Sequence, residues 1–285
     1  MPLVASRKSE GCFSVCSESA RLSITDQLYG SGGDYLKGRD VTIRKLEEIS
    51  ANAWPGVFVR FYGGWVMRSA GGYTNRANSV LPLYDSGESL DRKIETARGF
   101  YAAQGLETLY KVTPASSPSE LDSALRDLGY VERDRARVMI KNIGTEIQDL
   151  SDLRVFRRPS RDWIDTFSVL STRARNNEYW VWRILNSISA DAFYVLLKKA
   201  GKTLGCAMGV LEEGYFGVFG VTIEENSRSK GYGRELTKKL LGIGRSAGAK
   251  WAYLQVDIVN GVATELYESL GFEELYQYWY RGTHN

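Results

Sequence analysis

Apolar positions recur at helical spacing in several stretches and at strand spacing in others. Leu236, Leu240, Ile243 and Ala247 fall at i, i+4, i+7 and i+11, one face of a helix. Before them, residues 215–223 form an apolar run with β-branched and aromatic residues, the pattern of a strand. Residues 203–212 and 215–223 predict a hairpin through Glu213-Gly214. Further strands are predicted at 153–157, 251–257 and 273–281, with helices from Ser160 and over 261–270. Ala192, Leu196 and Ala200, flanked by Phe193 and Leu197, predict another helix, stopped by Gly201.

The first half carries similar signals. Residues 41–53 predict a strand turning into a helix, broken by Pro55-Gly56. Residues 57–62 and 65–69 flank Gly63-Gly64, a hairpin signal, and a third strand is expected over 78–84. Leu90, Ile94, Ala97 and Tyr101 trace a helix face. After a short strand at 108–112, Ser117-Pro118-Ser119-Glu120 reads as a capping box with Pro at the first helical position. Leu121, Leu125 and Leu128 follow, and 130–143 predicts one or two strands.

The two halves therefore share one order of elements. Leu128-Gly129-Tyr130 and Leu270-Gly271-Phe272 stand 142 residues apart, half the chain. A repeat of that length means two copies of one domain rather than a solenoid. The expected division is a polar, Gly/Ser-rich arm at 1–38, a first domain at 39–147 and a second at 148–285. The expected fold class is mixed α/β.

Between the strand at 215–223 and the helix after it lies Arg228-Ser229-Lys230-Gly231-Tyr232-Gly233. A glycine turn opening a helix presents unpaired N–H groups and the positive end of the helix dipole, which together suit an anion. On its own the turn is equally well a bend. The matching offset in the first half falls on Ser86-Gly87-Glu88-Ser89-Leu90-Asp91, where the basic residues and both glycines are gone. The first copy therefore should not bind an anion there. Gly242-Ile243-Gly244 and Gly248 lie at a helix end with the wrong spacing for a dinucleotide fingerprint.

Composition narrows the chemistry further. The net charge of +3 is too small to argue for nucleic acid. The one histidine, His284, excludes a Ser-His-Asp mechanism and histidine-based metal sites in the body of the chain. Three cysteines, Cys12, Cys16 and Cys206, fit a reducing compartment better than a disulfide framework. No apolar run reaches the ~18 residues of a membrane span, and no signal-peptide pattern follows Arg7-Lys8. The expectation is a cytoplasmic protein with no metal and no membrane or nucleic-acid partner.

Arg228-x-x-Gly231-x-Gly233 resembles the pyrophosphate signature R/Q-x-x-G-x-G/A of the GNAT superfamily of acyl-CoA-dependent N-acetyltransferases. Gln255-Val256 followed by Asn260-x-x-Ala263-x-x-Leu266-Tyr267-Glu268-x-x-Gly271-Phe272 resembles that family's later motif, in family order and spacing. The resemblance covers about 153–285 clearly, and the first half in layout only. Gly64-Trp65-x-x-Arg68-x-x-Gly71-Gly72-x-Thr74-x-Arg76-x-Asn78-Ser79 is similar to the front module of some bacterial two-module members. The implied fold is a pair of tandem GNAT-like domains, each a mostly antiparallel mixed sheet flanked by helices, the first degenerate.

The resemblance implies acetyl-CoA as cofactor, its pyrophosphate held by Arg228, Ser229, Lys230, Gly231, Tyr232 and Gly233. It implies pantetheine pairing with the backbone of Val221 and Ile223, on a strand that splays from 251–257, and a cofactor contact from Asn260. Tyr267 would be the general acid for the leaving thiolate; its structural alternative is a core aromatic. Leu125 stands at the matching position of the first half. For a base, Glu212, Glu213 and Asp257 lie near the strands lining the cleft, each equally a strand-end charge, and water is an alternative. The family's acceptor loop falls on 171–187, with Asn176, Tyr179, Trp180 and Trp182 as acceptor contacts, or else a packed loop.

The expected activity is transfer of an acetyl group to the primary amine of a small molecule, by direct attack in a ternary complex. The alternatives are acylation of a protein or peptide amine or use of a longer acyl chain, and a non-catalytic acyl-CoA-binding regulator. A monomer or homodimer is expected.

Overall fold

The computed structural model describes residues 35–145 and 148–283, with side chains from Thr42 onward. The expected arm lies outside the described residues up to position 34, as do Cys12, Cys16 and His284. Helix α1 (Tyr35–Ala53) opens the described chain. The strand expected from residue 41 is helix instead. Ile43, Leu46, Ile49 and Ala53 are all buried, a helical stripe whose packing outweighs the β-branched Val41-Thr42-Ile43.

Strands β1 (Phe58–Tyr62) and β2 (Trp65–Ser69) form the expected hairpin. Gly63 and Gly64 both take positive φ, 56° and 81°, as its two-residue turn requires. Strand β3 is only Val80–Leu81. Helix α2 (Leu90–Ala102), strand β4 (Tyr110–Val112), helix α3 (Leu121–Asp127) and strand β5 (Val131–Asn142) complete the first half. The capping box does not form. Helix α3 starts after Glu120 with no side-chain cap, and the Ser119 hydroxyl turns to the Glu120 carboxylate at 3.3 Å.

The second half runs β6 (Leu153–Phe156), α4 (Arg161–Leu170), α5 (Thr172–Arg175), α6 (Glu178–Asn186), β7 (Asp191–Lys199), β8 (Lys202–Glu212) and β9 (Tyr215–Ile223). It continues with α7 (Tyr232–Ser246), β10 (Trp251–Asp257), α8 (Gly261–Glu268) and β11 (Glu273–Gly282). Ser160 caps α4, its side chain accepting from the Trp163 N–H at 3.2 Å. The helix expected at 192–200 is strand β7. Ala192, Tyr194 and Leu196 pack into one core cluster, and Phe193, Val195 and Leu197 into another. A strand buried on both faces shows no polar alternation, so its apolar run carries no strand periodicity. The stretch 171–187 is two short helices rather than a loop.

The eleven strands of the described residues join in one sheet, ordered β1-β2-β3-β4-β11-β5-β10-β9-β8-β7-β6. The last strand of each half crosses into the other. Strand β5 lies between β11 and β10, and β11 pairs with β4 on its far side. The expected repeat is visible at these two strands. Gly129 (φ 86°) and Gly271 (φ 82°) each close a short helix before β5 and β11. Helices α1, α4 and α6 pack on one face around Trp163, Tyr194 and Tyr278. Helices α7 and α8 pack on the other around Phe216, Leu240 and Phe272.

Candidate functional site

Strands β9 and β10 run parallel but pair only at their beginnings. Trp251, Ala252 and Tyr253 lie opposite Tyr215, Phe216 and Gly217, and pairing then ends. Beyond that point β9 stays bonded to β8, and β10 to β5. The two strands part, as the resemblance implies. A bulge reinforces this: β9 carries one extra residue between Phe219 and Thr222, and Gly220 takes φ 59°. Val221 and Ile223 lie past the parting, on an edge of β9 with no strand partner.

At the end of β9 the chain turns through the glycine motif into α7. Ser229 (φ 59°) and Gly231 (φ 81°) are left-handed, and Gly231 is the N-cap. Among the described residues no backbone carbonyl accepts from the N–H groups of residues 229–234; the first such bond runs from Glu235 to Gly231 at 3.0 Å. These are the orphan donors of a helix start, and a dipole of the same sign stands behind them. Apart from its chain neighbours, no atom of the described residues lies within 4 Å of where a Gly231 Cβ would sit, so the space above the turn is open. Arg228 folds back, donating Nε to the Ile223 carbonyl at 3.2 Å, and Lys230 Nζ donates to the Asn226 carbonyl at 2.8 Å. The donor set and the open backbone fit a pyrophosphate.

Asn260 caps α8, its Oδ1 accepting from Ala263 N–H at 3.1 Å. Tyr267, on the same helix, packs against the cluster that also receives Val221, Ile223 and Tyr232. Its ring meets Phe272 edge-on at 5.9 Å. Burial pushes the Tyr267 phenol up to about 12, with the Arg76 guanidinium pulling the other way. The hydroxyl is therefore neutral at physiological pH and able to donate a proton.

On the other face, a cleft of ≈ 310 Å³ reaches the parting of the strands. Asp257, Phe219 and Gly220 line it from β10 and the β9 bulge, and Phe167 and Arg173 from α4 and α5. The first half supplies Trp54, Tyr73, Thr74, Asn75 and Arg76. Their loop is held by Asn78, whose Oδ1 accepts from Ala70 and Gly72 at 2.7 and 2.8 Å. Its Nδ2 donates to the Tyr73 and Thr74 carbonyls, both at 2.8 Å. Arg76 then reaches β10, donating to the Gln255 carbonyl at 3.2 Å. Sequence reasoning left this loop as a subfamily likeness without a role. Its dense Gly-Gly-x-Thr-x-Arg-x-Asn pattern was the available signal.

The remaining expected residues fall elsewhere. Glu213 sits in the β8–β9 turn at φ 46°, paired with Lys45. That is the opposite end of β9 from the glycine turn, some eight residues or roughly 26 Å away. It lines a larger cavity of ≈ 690 Å³ between α1 and the β1–β2 hairpin, which contains no part of the strand parting. Glu212, hydrogen-bonded to Asn52 at 2.9 Å, lies there too. Of the 171–187 stretch, Arg173 alone lines the smaller cleft. A Cβ on Gly71 would meet the Trp180 ring at 2.0 Å, so Trp180 packs against the front-half loop. Tyr179 and Trp182 are exposed, Tyr179 accepting from Arg183 at 2.7 Å. Asn176 ends α5. Among the described residues no cluster of metal-binding side chains occurs, and no helix is long and apolar enough to cross a membrane.

Comparison with known proteins places this geometry in context. Residues 41–281 match the family model described as "Probable histone acetyltransferase Rv0428c C-terminal". An uncharacterized N-acetyltransferase, YobR, of Bacillus subtilis is 30% identical over 245 residues, 84% of this chain and 98% of that protein. The probable histone acetyltransferase Rv0428c of Mycobacterium tuberculosis is 27% identical over 240 residues, 82% and 72% of the two chains. Among solved structures, a GCN5-related N-acetyltransferase from Kribbella flavida shares the fold at TM-score 0.62 and 17% identity, over 84% of this chain and 95% of that one. A tandem GNAT protein from the clavulanic acid pathway does so at TM-score 0.56 and 11% identity, over 84% and 87%. With a parted β9–β10 pair beside an open glycine turn, and a family match over nearly its whole described length, the chain belongs to the Rv0428c C-terminal acetyltransferase family of the GNAT superfamily.

Proposed function

We propose that the protein moves the acetyl group of acetyl-CoA to the primary amine of a small molecule within a ternary complex. The observation that carries this is the meeting of three features at one end of β9 and β10. These are the unpaired N–H row at residues 229–234, the strand parting after Gly217 and Tyr253, and a cleft that opens on Asp257 from the opposite face.

In this reading the N–H groups of residues 229–234 hold the pyrophosphate, and the free edge of β9 at Val221 and Ile223 holds the pantetheine arm. Acetyl-CoA supplies an acyl group activated as a thioester. Asp257 takes a proton from the acceptor ammonium, directly or through water, and free N–H groups of the parted β9 edge polarise the carbonyl. The neutral Tyr267 hydroxyl protonates the departing thiolate. Donor and acceptor enter from opposite faces of the sheet, so the amine meets the carbonyl without displacing the cofactor. Residues 148–285 would form the catalytic domain, and residues 39–147, whose matching turn has lost its basic residues, would shape the acceptor side.

A second reading, acylation of a protein lysine, is favoured by the naming of the M. tuberculosis relative as a probable histone acetyltransferase. The cleft of ≈ 310 Å³ suits a small acceptor better. The test is melting temperature with and without acetyl-CoA, followed by an acetyl-CoA consumption screen over amino acids, aminosugars, polyamines and lysine peptides. A rise in melting temperature and turnover of a small amine is the expected result. No shift with the wild type sinks the cofactor assignment; turnover of peptides alone replaces the small-molecule acceptor.

A further inference from the structure

The acceptor cleft carries a charge pattern that selects among amines. Four ionised side chains line it: Arg76, Arg173, Asp134 and Asp257. Two are engaged within the protein. Arg76 donates to the Gln255 carbonyl at 3.2 Å, and Asp134 accepts from Asn75 Nδ2 at 2.6 Å. The other two, Arg173 and Asp257, make no side-chain hydrogen bond or ion pair among the described residues. Asp257 lies within electrostatic reach of Arg76 without bonding to it, so one cation and one anion, each with its hydrogen-bonding positions open, face the same small space. They sit on different elements, Arg173 on α5 and Asp257 at the end of β10.

Aromatic rings make up most of the rest of the lining, with Thr74, Asn75 and Gly220 between them. Trp54, Phe167 and Phe219 supply apolar surface, and Tyr280 adds a further group. Tyr280 is 3% exposed, and its buried hydroxyl has no hydrogen-bond partner among the described residues. A buried hydroxyl left unpaired costs free energy, which a polar atom of a ligand or a water would recover. The volume of ≈ 310 Å³ lies at the lower end of the ~300–1,000 Å³ typical of ligand pockets.

We propose that the acceptor is an amino-acid-like molecule: a small amine that also carries a carboxylate and an apolar or aromatic body. Arg173 receives the carboxylate, for which a guanidinium offers two parallel donors. Asp257 receives the amino group at the parting of the strands, where the acyl carbonyl must lie. The aromatic lining takes the body. An amine without the acid leaves Arg173 unpaired, and a lysine in a peptide brings no carboxylate at that distance from its amine. What happens to the bound amine rests on the acetyl-transfer reading above; the binding preference does not.

The experiment compares three pairs that differ by one carboxylate: L-phenylalanine with 2-phenylethylamine, L-leucine with 3-methylbutylamine, and 4-aminobenzoate with aniline. Binding to the full chain is measured by calorimetry, with and without coenzyme A, and turnover by acetyl-CoA consumption. The expected result is that at least one carboxylated member binds, or is turned over, about tenfold or more better than its partner, the order of one charge-assisted contact. Arg173→Gln erases that difference through Kd or KM, and Arg173→Lys restores part of it. Equal or reversed preference in all three pairs, no binding by any carboxylated member, or a preference that survives Arg173→Gln overturns the proposal. The acetyl-CoA melting shift separates the two readings. If it persists while the pairs show no preference, acyl transfer stands and the acceptor class falls; if it is absent while phenylalanine binds through Arg173, the reverse holds.

Discussion

Trp54, one residue past the end of α1, lies stacked over Phe219 of β9, ring centroids 6.4 Å apart and planes 18° apart. Its Nε1 donates to Thr74 Oγ1 at 2.9 Å. One side chain thus links the end of α1, the front-half loop and the β9 bulge beside the cleft proposed for the acceptor. Both rings are buried, so the contact belongs to the core as well as to the site.

Trp54→Ala removes that link. Large-to-small aromatic changes in a core cost about 3–5 kcal/mol. For a chain of this size that lowers the melting temperature by roughly 6–20 °C. Trp54→Phe keeps an aromatic ring at this position but loses the Thr74 bond, about 1 kcal/mol, and part of the packing, so it should cost less than the alanine change. Calorimetric scans of both variants check this. An alanine variant that melts like the wild type would show that the cleft walls do not depend on Trp54.

Gly231 separates strain from binding. At φ 81° a Cβ costs roughly 1–2 kcal/mol, yet apart from its chain neighbours no atom of the described residues stands within 4 Å of it. Gly231→Ala is therefore expected to fold, melt a little lower and keep a melting shift with acetyl-CoA. Gly231→Glu adds a carboxylate beside the free N–H groups and is expected to lose the shift. Equal shifts for the glutamate variant and the wild type would remove the turn from the cofactor site.

Tyr267→Phe is expected to lower kcat by about 10²–10⁴, the usual worth of a general acid, with little change in KM for acetyl-CoA. The pH dependence follows from burial. The folded phenol titrates at about 12, above the usual ~10 of an unfolded tyrosine. Its raised value means that the stability it contributes is complete below pH ~10 and is lost as pH rises from there toward ~12. An alkaline fall in rate below pH ~10 should consequently be the same in wild type and phenylalanine variant. If that limb disappears with the hydroxyl, the phenol titrates far lower than its surroundings imply.

Lys111 and Glu47 form an ion pair at 2.5 Å, 3% and 1% exposed, and Tyr276 also donates to Glu47 at 2.7 Å. The pair ties α1 to β4, the neighbour of β11 in the sheet. Lys111→Met leaves the Glu47 carboxylate buried beside a single hydroxyl, which should cost about 3–5 kcal/mol. The double change Lys111→Met with Glu47→Leu should recover much of that, because it removes both charges. Denaturant titration of the single and double variants reads the difference. If the double variant is no better than the single one, the cost lies in packing rather than in the stranded charge.

Residues 148–285 expressed alone would lack β5, which pairs with β10 along seven residues and with β11 on its other side. Removing it leaves two interior edges unpaired, a template for aggregation. The fragment is expected to be aggregated or largely unfolded by size-exclusion chromatography and circular dichroism. A monomeric, folded fragment would mean that the rear half closes its own sheet.

The glycine turn, the strands at 215–223 and 251–257, and the α8 motif were legible in the sequence because their signals are local. A left-handed glycine before a helix, an apolar run and a 3.6-residue period each depend on neighbours a few positions away. The repeat was legible for the same reason, since Gly129 and Gly271 end equivalent helices. Strand β7 was not, because burial on both faces erased the alternation that marks a strand. Nor was α1, whose first turns carry β-branched residues and hold their shape by packing.

The cleft proposed for the acceptor is the clearest case of what sequence alone left open. Tyr179, Trp180 and Trp182 drew attention by composition, yet two are exposed and one packs on Gly71. Arg76 and Asp257 meet across 181 positions of chain, and the exchange of β5 and β11 between the halves is what brings them together. The sequence by itself determined the chemistry available: a helix N-terminus open to an anion, a tyrosine after it and carboxylates near the strands. That Asp257 rather than Glu212 or Glu213 lines the cleft at the parting, and that front-half residues line it too, only the tertiary structure decided. Strand order and side-chain approach across a sheet are set by long-range burial and pairing, which no local pattern encodes.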